Sequence, residues 1–138
     1  MSNLETTQQI YEAFGRGDVP AILERLAPDV AWEDLADSTA QRAGVPWLAR
    51  RNGPDEVAGF FGLIGNGDLA VSDFQVLGLI GGSGDKVVVE CVIEATVAAT
   101  GKTFRDEELH LWTFDDAGRV VAMRHYVDTA KHAAAHTD

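Results

Sequence analysis

The chain contains a single cysteine, Cys91, among its 138 residues. One cysteine excludes an internal disulfide and any zinc cluster built from several thiolates. Lysine and arginine are also scarce: they number 11 against 22 aspartate and glutamate residues, which gives a formal net charge of −11. So negative a chain is unsuited to binding nucleic acid or an anionic membrane surface, because phosphate-rich partners are repelled.

Long hydrophobic runs, repeats and low-complexity tracts are missing as well. No apolar segment approaches the roughly 20 residues that span a bilayer, so we expect no membrane partner. The first residues, Met-Ser-Asn-Leu-Glu-Thr-Thr, lack the basic start and apolar stretch of a secretory signal, and a cytoplasmic location is the expectation. The 46% of hydrophobic residues is typical of a folded globular protein, and the length favours one domain spanning residues 1–138.

Helical patterns dominate the N-terminal half of the chain. Apolar residues at helical spacing predict a first helix over 4–14, which glycines end. Asp18 is positioned to cap a second helix. A further helix is expected to begin at Asn52-Gly53-Pro54, where a capping residue and a proline precede two acids. A short strand over 30–34 and an irregular loop over 35–51 are expected between these helices.

The C-terminal half is predicted to be β-structure. Strands are expected over 69–80, 86–99, 103–114 and 119–127, with short turns between them, one of which covers 81–85. Long sequential strands joined by tight turns form an antiparallel meander. Because the helices precede the strands, the fold class is α+β, and a curved sheet that wraps against the helices would form a cone with an open mouth.

Two histidines on the last two predicted strands are the most informative residues for function. His110 and His125 each point to one face of their strand, and adjacent antiparallel strands can bring two such side chains to one ligand. In a mostly apolar pocket they would supply two proton-transfer groups for acid–base chemistry on a small hydrophobic molecule. The residues that alternate with them complete the predicted wall: Glu108, Trp112, Met123 and Val127.

Asp34 is the third candidate catalytic residue. It shares a predicted strand face with Trp32, and burial there would raise the pKa of its carboxyl group and suit it to act as a base. Trp47 lies in an otherwise polar loop, which favours a role as a lid over the mouth of the pocket. The substrate-binding candidates outside the last two strands are Trp32, Trp47, Phe60, Phe61, Cys91 and Ile93.

The C-terminal segment is expected to contribute little to the site. Asp128 is positioned to cap a terminal helix that begins near Thr129. His132 and His136 are expected to be solvated, and although they are four residues apart we expect no metal site there, because acidic supporting ligands are missing.

Several segments follow one another in an order and spacing that is specific for a fold. They are residues 11–18, 26–34, 53–61, 100–102 and 109–128. Together they resemble the SnoaL-like branch of the nuclear transport factor 2-like superfamily, which includes ketosteroid isomerases and limonene-type epoxide hydrolases. The resemblance implies a cone-shaped α+β fold, in which a curved antiparallel or mixed sheet wraps around N-terminal helices. It also implies dimerisation through the outer sheet face and, in the isomerase, cyclase and hydrolase branches, no metal or organic cofactor.

The resemblance also assigns positions to the candidate residues. Asp34 falls where ketosteroid isomerases place their general-base aspartate, and His110 falls where they place the aspartic acid of the oxyanion hole. Their oxyanion tyrosine has no match, since its position corresponds to Ile10. The epoxide hydrolases use an aspartate, an arginine and a second aspartate, and these positions correspond here to Cys91, Ile93 and His125. The replacements argue against epoxide hydrolysis. Polyketide cyclases pair an acid–base residue with a histidine on the last strands, and the two histidines described above come closest to this arrangement.

The main hypothesis is therefore a small, cofactor-independent enzyme of the cyclase or isomerase type that acts on a hydrophobic, carbonyl-bearing molecule. Asp34 or a histidine would abstract a proton next to the carbonyl group, and His110 would stabilise the enolate. One alternative is a non-catalytic protein that holds a small apolar ligand. Another is a dimeric interaction scaffold whose pocket is filled by aromatic side chains. A homodimer is also expected from the mixed outer faces of the strands.

Overall fold

A computed structural model describes residues 1–34, 37–81 and 84–138. Five α-helices, a short 3-10 helix (Pro46–Leu48) and six strands follow one another in that part of the chain. Their order is α1 (Asn3–Gly15), α2 (Val19–Leu23), β1 (Leu26–Trp32), α3 (Thr39–Arg42), β2 (Arg51–Asn52), α4 (Gly53–Gly65), β3 (Leu69–Gly81), β4 (Lys86–Val97), β5 (Thr103–Phe114), β6 (Val120–Tyr126) and α5 (Thr129–His136).

The helices begin where side chains satisfy their first backbone N–H groups. A capping box between Ser2 and Glu5 starts α1. Asp18 caps α2 as predicted, by accepting a backbone N–H in its first turn. The predicted start of α4 is confirmed, but Asn52 makes no side-chain cap. Instead its backbone N–H donates to the carboxylate of Glu56 at 3.0 Å.

The six strands form one open, mixed sheet in the order β2-β1-β6-β5-β4-β3. Only β1 and β6 run parallel, and the other neighbouring pairs are antiparallel. The predicted meander of long strands and the α+β class are confirmed. The short strand predicted over 30–34 lies earlier, at Leu26–Trp32, because Glu33 adopts a left-handed backbone conformation that ends it.

The turn between β5 and β6 sets the register of the two strands that carry the candidate histidines. The Asp115 carboxylate accepts the backbone N–H groups of Ala117 at 2.9 Å and Arg119 at 3.0 Å. Gly118 supplies the positive φ of 80° that the turn requires. The resulting register pairs His110 directly with His125.

The hydrophobic core lies between the concave face of the sheet and helices α1, α2 and α4. The inner face of β5 shows how polar groups enter this core, because every second residue from Phe104 to Phe114 is buried. Asp106, Glu108 and His110 are among them, each 5% exposed or less. The predicted alternation of β5 is therefore confirmed, and its inward face carries charge into an apolar environment.

The segment predicted as an irregular loop over 35–51 contains α3, the 3-10 helix and the start of β2. A capping box between Ser38 and Gln41 begins α3, and this local signal is independent of hydrophobic periodicity. Residues 35 and 36 of that loop, and residues 82 and 83 of the turn predicted at 81–85, lie outside the described residues.

Candidate active site

A cavity of about 70 Å³ lies between the inner sheet face and the helices. Aromatic and aliphatic side chains form most of its wall. It adjoins a wider surface depression of about 530 Å³ beside α1, α4 and β3. The residues shared by the cavity and the depression mark the route between them: Tyr11, Phe14, Phe61, Ile64 and Phe74.

His110 and His125 meet at the polar end of this cavity. Their ring centroids are 4.4 Å apart with an interplanar angle of 78°. Both side chains are buried, with 6% and 11% of their surface exposed. Two imidazolium charges at this distance would repel strongly, so the two rings favour different protonation states.

His110 has hydrogen-bond partners at both ring nitrogens. Its Nδ1 lies 2.5 Å from the hydroxyl oxygen of Tyr11, and its Nε2 lies 3.0 Å from a carboxylate oxygen of Glu108. The indole N–H of Trp112 donates to the same tyrosine oxygen at 3.0 Å. One assignment satisfies these groups: the Tyr11 hydroxyl donates to Nδ1, and Nε2–H donates to Glu108. His110 is then neutral and forms the centre of a Tyr11–His110–Glu108 chain.

The electrostatics of this chain agree with that assignment. Burial and the positive charge of His125 lower the pKa of His110. Burial opposes ionisation of Glu108, but hydrogen bonds from His110 and His132 outweigh it and hold the pKa of this carboxyl group well below its usual range. Burial also raises the pKa of Tyr11 well above its ordinary value, so its hydroxyl stays protonated and able to donate.

Glu33 orients His125 from the end of β1. One carboxylate oxygen accepts the backbone N–H of His125 at 2.9 Å and also contacts Nδ1 of the same ring. Burial alone would lower the pKa of His125, but the charge and hydrogen bond of Glu33 outweigh it and raise the pKa above 6.5. Nε2 has no partner within the described part of the chain, and the ring lines the cavity. This nitrogen is therefore available for proton transfer with a ligand.

Backbone strain accompanies the position of Glu33. Within the described ranges it is the only non-glycine residue with a positive φ, at 61°. Such a conformation costs on the order of 1 kcal/mol. A hydrogen bond of 2.8 Å from its backbone N–H to the carbonyl of Met123 holds it in place. Strain of this kind is concentrated at functional sites, and here it turns a carboxylate directly after Trp32 into the interior.

His132 joins helix α5 to the same network. Its Nε2 lies 2.8 Å from Asp106 and 3.2 Å from Glu108, and its Nδ1 accepts the indole N–H of Trp47 at 2.9 Å. Burial opposes protonation of His132, whereas the hydrogen bonds to Asp106 and Glu108 raise its pKa. The indole, however, can only donate, so a neutral ring with its proton on Nε2 satisfies all three partners. The expectation that His132 is solvated is wrong, because it is 2% exposed.

The structure brings most of the sequence-derived candidates to the cavity wall. They are Trp32, Trp47, Phe60, Phe61, Ile93, Glu108, His110, Trp112, Met123, His125 and Val127. Cys91 lies behind the wall, with its sulfur 3.5 Å from Nε2 of His110. Asp34 is exposed, so the expectation of a buried Asp34 is wrong. The strand ends at Trp32, and the left-handed Glu33 takes the inward place that simple alternation gave to Asp34.

Trp47 is expected from the sequence to cover the opening of the cavity, but the structure places it elsewhere. It is 5% exposed and stacks on Phe104 with a centroid distance of 6.3 Å. Its hydrogen bond to His132 holds it at the inner end of the cavity, and it does not border the outer depression. Trp47 therefore forms part of the cavity wall and holds α5 through its hydrogen bond to His132.

Four polar residues of the network were missed as candidates: Tyr11, Glu33, Asp106 and His132. Asp106 carries a usable signal, because it alternates with His110 on the inner face of β5. Tyr11 lines the cavity and contacts His110, whereas its neighbour Ile10, the position that corresponds to the isomerase tyrosine, supplies an apolar part of the wall. No sequence pattern marks Glu33, because its inward direction depends on a local backbone conformation.

Two groups of side chains hold metal-ligating atoms close together. One comprises Cys91, Glu108 and His110, and the other comprises Asp106, Glu108 and His132. Burial and nearby carboxylates raise the pKa of the Cys91 thiol to about 12, which disfavours the thiolate that a metal requires. In the second group, the Trp47 indole occupies Nδ1 of His132, so Nε2 carries the proton and has no free lone pair. The donor chemistry fits protons better than a metal ion in both groups.

The chain matches the model of a known protein family. The model of the SnoaL-like domain matches residues 7–123. The chain belongs to the SnoaL-like family. No curated protein sequence gives a significant match. Within the described residues, no helix has the length and apolar character needed to cross a membrane.

Solved structures of nuclear transport factor 2-like proteins share the fold. One of unknown function from Burkholderia pseudomallei has 29% identity and a TM-score of 0.75, with all of both chains covered. Another, from Burkholderia thailandensis, has 24% identity and a TM-score of 0.82 over 100% of this chain and 99% of that one. A Mycobacterium tuberculosis protein in complex with estradiol-17β-hemisuccinate has 20% identity and a TM-score of 0.73, over 95% of this chain and 98% of that one.

Proposed function

We propose that this SnoaL-like protein is an acid–base enzyme of the cyclase or isomerase type, which works on a small hydrophobic carbonyl compound without a metal or organic cofactor. The observation that carries the proposal is the pair of adjacent buried histidines with different hydrogen-bonding roles. His125 has a free Nε2 and a carboxylate at Nδ1, whereas His110 is engaged at both nitrogens. A base and a hydrogen-bond donor therefore face the same apolar cavity.

The roles follow from these bonds. His125 accepts a proton from the carbon next to the carbonyl group, and Glu33 stabilises the imidazolium that forms. In the resting site the single proton of the Tyr11 hydroxyl is donated to Nδ1 of His110. During the reaction this proton turns to the ligand oxygen and stabilises its developing negative charge, while Trp112 continues to donate to the tyrosine oxygen. This assignment replaces the sequence-based hypothesis in two respects: Asp34 has no role in proton transfer, and His110 acts through Tyr11 instead of contacting the enolate.

The cavity wall supports a neutral, apolar substrate. No lysine or arginine lines the cavity in the described part of the chain, whereas Glu108 does. At a pH where His125 is neutral, an anionic group would therefore meet like charge without a counterion. The inner cavity accommodates the reacting end of a molecule, and the depression beyond Phe14 and Phe74 accommodates the remainder.

Exchange of α-protons tests the proposal without knowledge of the natural substrate. The test compound is 1-indanone in D₂O, with deuterium incorporation followed by NMR. Wild-type protein is expected to accelerate exchange, and His125→Ala to lower the enzymatic rate about 100-fold or more. Asp34→Asn is the matched control and keeps the rate of the wild type. Absence of acceleration by the wild type, or full activity of His125→Ala, would contradict the proposal.

A non-catalytic ligand-binding protein is the second candidate function. The apolar wall of the cavity and the adjoining surface depression favour it, since a ligand could be held there without reacting. Saturable binding of 1-indanone with no exchange would identify this function. The same cavity argues against a scaffold whose interior is filled by aromatic side chains.

We also propose that the protein forms a homodimer through the outer sheet face. Leu77, Ile80, Leu109 and Tyr126 are 44–61% exposed there. Within the described residues, Nε of Arg124 is buried without a hydrogen-bond partner. A second copy related by a two-fold axis would cover the apolar side chains and could bring an acidic residue such as Glu90 to this arginine.

A further inference from the structure

Trp32 has a buried polar atom that the protein itself does not satisfy. It is 1% exposed, and its indole Nε1 has no hydrogen-bond partner among the described residues. The two other tryptophans differ, because Trp47 donates to His132 and Trp112 donates to Tyr11. A buried N–H without a partner is uncommon, and at a cavity wall a bound molecule can supply the missing acceptor.

The surroundings of Trp32 explain why a ligand is needed. Its ring packs against four aromatic side chains, with centroid distances of 5.5 to 6.0 Å: Phe60, Phe61, Trp112 and His125. Phenyl rings and the indole of Trp112 offer no acceptor atom in the plane of the N–H. The imidazole of His125 has an acceptor nitrogen, but it makes no hydrogen bond to the indole Nε1 of Trp32. All of these residues line the cavity.

Trp32 also lies beside the proposed base. Strand β1 runs parallel to β6, with Trp32 paired to Met123 two residues before His125. The rings of Trp32 and His125 meet edge to face with centroids 5.9 Å apart. The indole and the proposed base therefore border the same part of the cavity.

We propose that the indole N–H of Trp32 binds the carbonyl oxygen of the ligand, and that the ligand is a neutral, planar ketone. The choice of a carbonyl oxygen rests on the proposed function, but the binding itself requires no turnover. Because an indole only donates, Trp32 selects molecules with an acceptor oxygen over the corresponding hydrocarbons. The carboxylate of Glu108 in the same wall disfavours ligands that carry an acid.

Three compounds that share one fused ring system test this inference: 1-indanone, indane and indane-1-carboxylate. Isothermal titration calorimetry of the wild type is expected to give about tenfold tighter binding of 1-indanone than of indane, the value of one buried hydrogen bond. At a pH where His125 is neutral, indane-1-carboxylate is expected to bind more weakly than indane. Equal affinity for 1-indanone and indane, or no binding of either, would overturn the inference.

Variants test whether the preference for 1-indanone over indane comes from the indole N–H of Trp32. Trp32→Phe is expected to bind both neutral compounds with equal affinity, whereas Tyr126→Phe, which removes a polar hydrogen from the outer sheet face away from the cavity, keeps the preference for the ketone. Should Trp32→Phe fail to fold, benzothienylalanine at position 32 alone removes the N–H with little change of shape. Persistence of the ketone preference in the Trp32 variant would contradict the assignment.

Infrared spectroscopy supplies a direct reading of the contact. The carbonyl stretch of bound 1-indanone is expected to lie below that of the ketone in an apolar solvent, and to rise when the N–H at position 32 is removed. A frequency that does not respond to this change would contradict the hydrogen bond. If the protein prefers the ketone but does not exchange its α-protons, the Trp32 binding site is supported and the proposed enzymatic activity is refuted. The two proposals can therefore fail separately.

Discussion

At the scale of single residues, hydrogen-bond partners give the three buried histidines His110, His125 and His132 different roles, although the sequence does not distinguish them. Trp47 can only donate, which fixes the proton of His132 on Nε2. Tyr11 and Glu108 occupy both nitrogens of His110. His125 alone among the three offers a nitrogen to the cavity, and Glu33 behind it supports a positive charge.

The first prediction concerns the proton affinity of His125. Glu33→Gln removes the charge that does most to raise the pKa of His125, so this pKa is expected to fall, which NMR titration of the imidazole resonances measures. A pKa that is higher in the folded state stabilises the protein below the unfolded value, and this contribution is lost as the pH rises through the folded value. The variant should therefore lose stability chiefly on the acidic side. An unchanged pKa would show that Glu33 does not govern His125.

A second prediction concerns the hydroxyl of Tyr11. Tyr11→Phe leaves the Trp112 N–H and Nδ1 of His110 without their partner, which should lower the free energy of unfolding by about 1–3 kcal/mol. It should also slow exchange of 1-indanone at least tenfold. Tyr126→Phe on the outer sheet face is the matched control, with little change in either quantity. Equal rates for the two variants would remove Tyr11 from the mechanism.

Residue identities alone reveal only part of this network. The alternation of β5 predicts that Glu108 and His110 share a face, because strand geometry fixes a period of two. It cannot reveal that Glu33 replaces Asp34, since one left-handed residue reverses the direction of the side chains after Trp32. The burial of His132 likewise depends on the docking of a helix whose apolar residues are all alanines.

At the scale of elements, the short terminal helix α5 closes the inner end of the cavity. Asp128 caps it by accepting the backbone N–H of Lys131 at 3.2 Å, as the sequence predicted. Thr100 donates to the carbonyl of Ala135 at 2.6 Å, so the turn after β4 holds the other end of the helix. Local capping signals thus place α5, and the buried His132 anchors it to β5.

The third prediction tests the cap. Asp128→Ala is expected to lower the free energy of unfolding by about 1 kcal/mol, because one N–H in the first turn of α5 loses its acceptor. Urea denaturation followed by circular dichroism measures this change. Asp116→Ala removes the same charge from an exposed turn position and should alter stability by less than about 0.5 kcal/mol. A larger loss from Asp116→Ala than from Asp128→Ala would contradict the role of the cap.

At the scale of the whole molecule, a net charge of −11 opposes association of two copies except where apolar surface compensates for it. The outer sheet face supplies such a surface, with Leu109 and Tyr126 paired across β5 and β6. The inner face of the same sheet forms the cavity. One sheet therefore separates the proposed interface from the proposed site.

The fourth prediction is that Leu109→Glu converts the dimer to a monomer, because it introduces a charge at the centre of the apolar face. Light scattering coupled to size-exclusion chromatography measures the mass. Leu4→Glu makes the same change at another exposed position, on α1, and should leave the dimer intact. A monomeric wild type, or a dimer in Leu109→Glu, would refute the interface.

The pH dependence of 1-indanone exchange tests most directly the central claim that His125, oriented by Glu33, is the base. The rate is expected to rise with pH as His125 loses its proton, with a midpoint above 6.5 in the wild type. In Glu33→Gln the midpoint should move to lower pH and the plateau should fall by about tenfold or more. A profile whose midpoint is the same in both proteins would contradict the account, because proton transfer would then not depend on the Glu33–His125 pair.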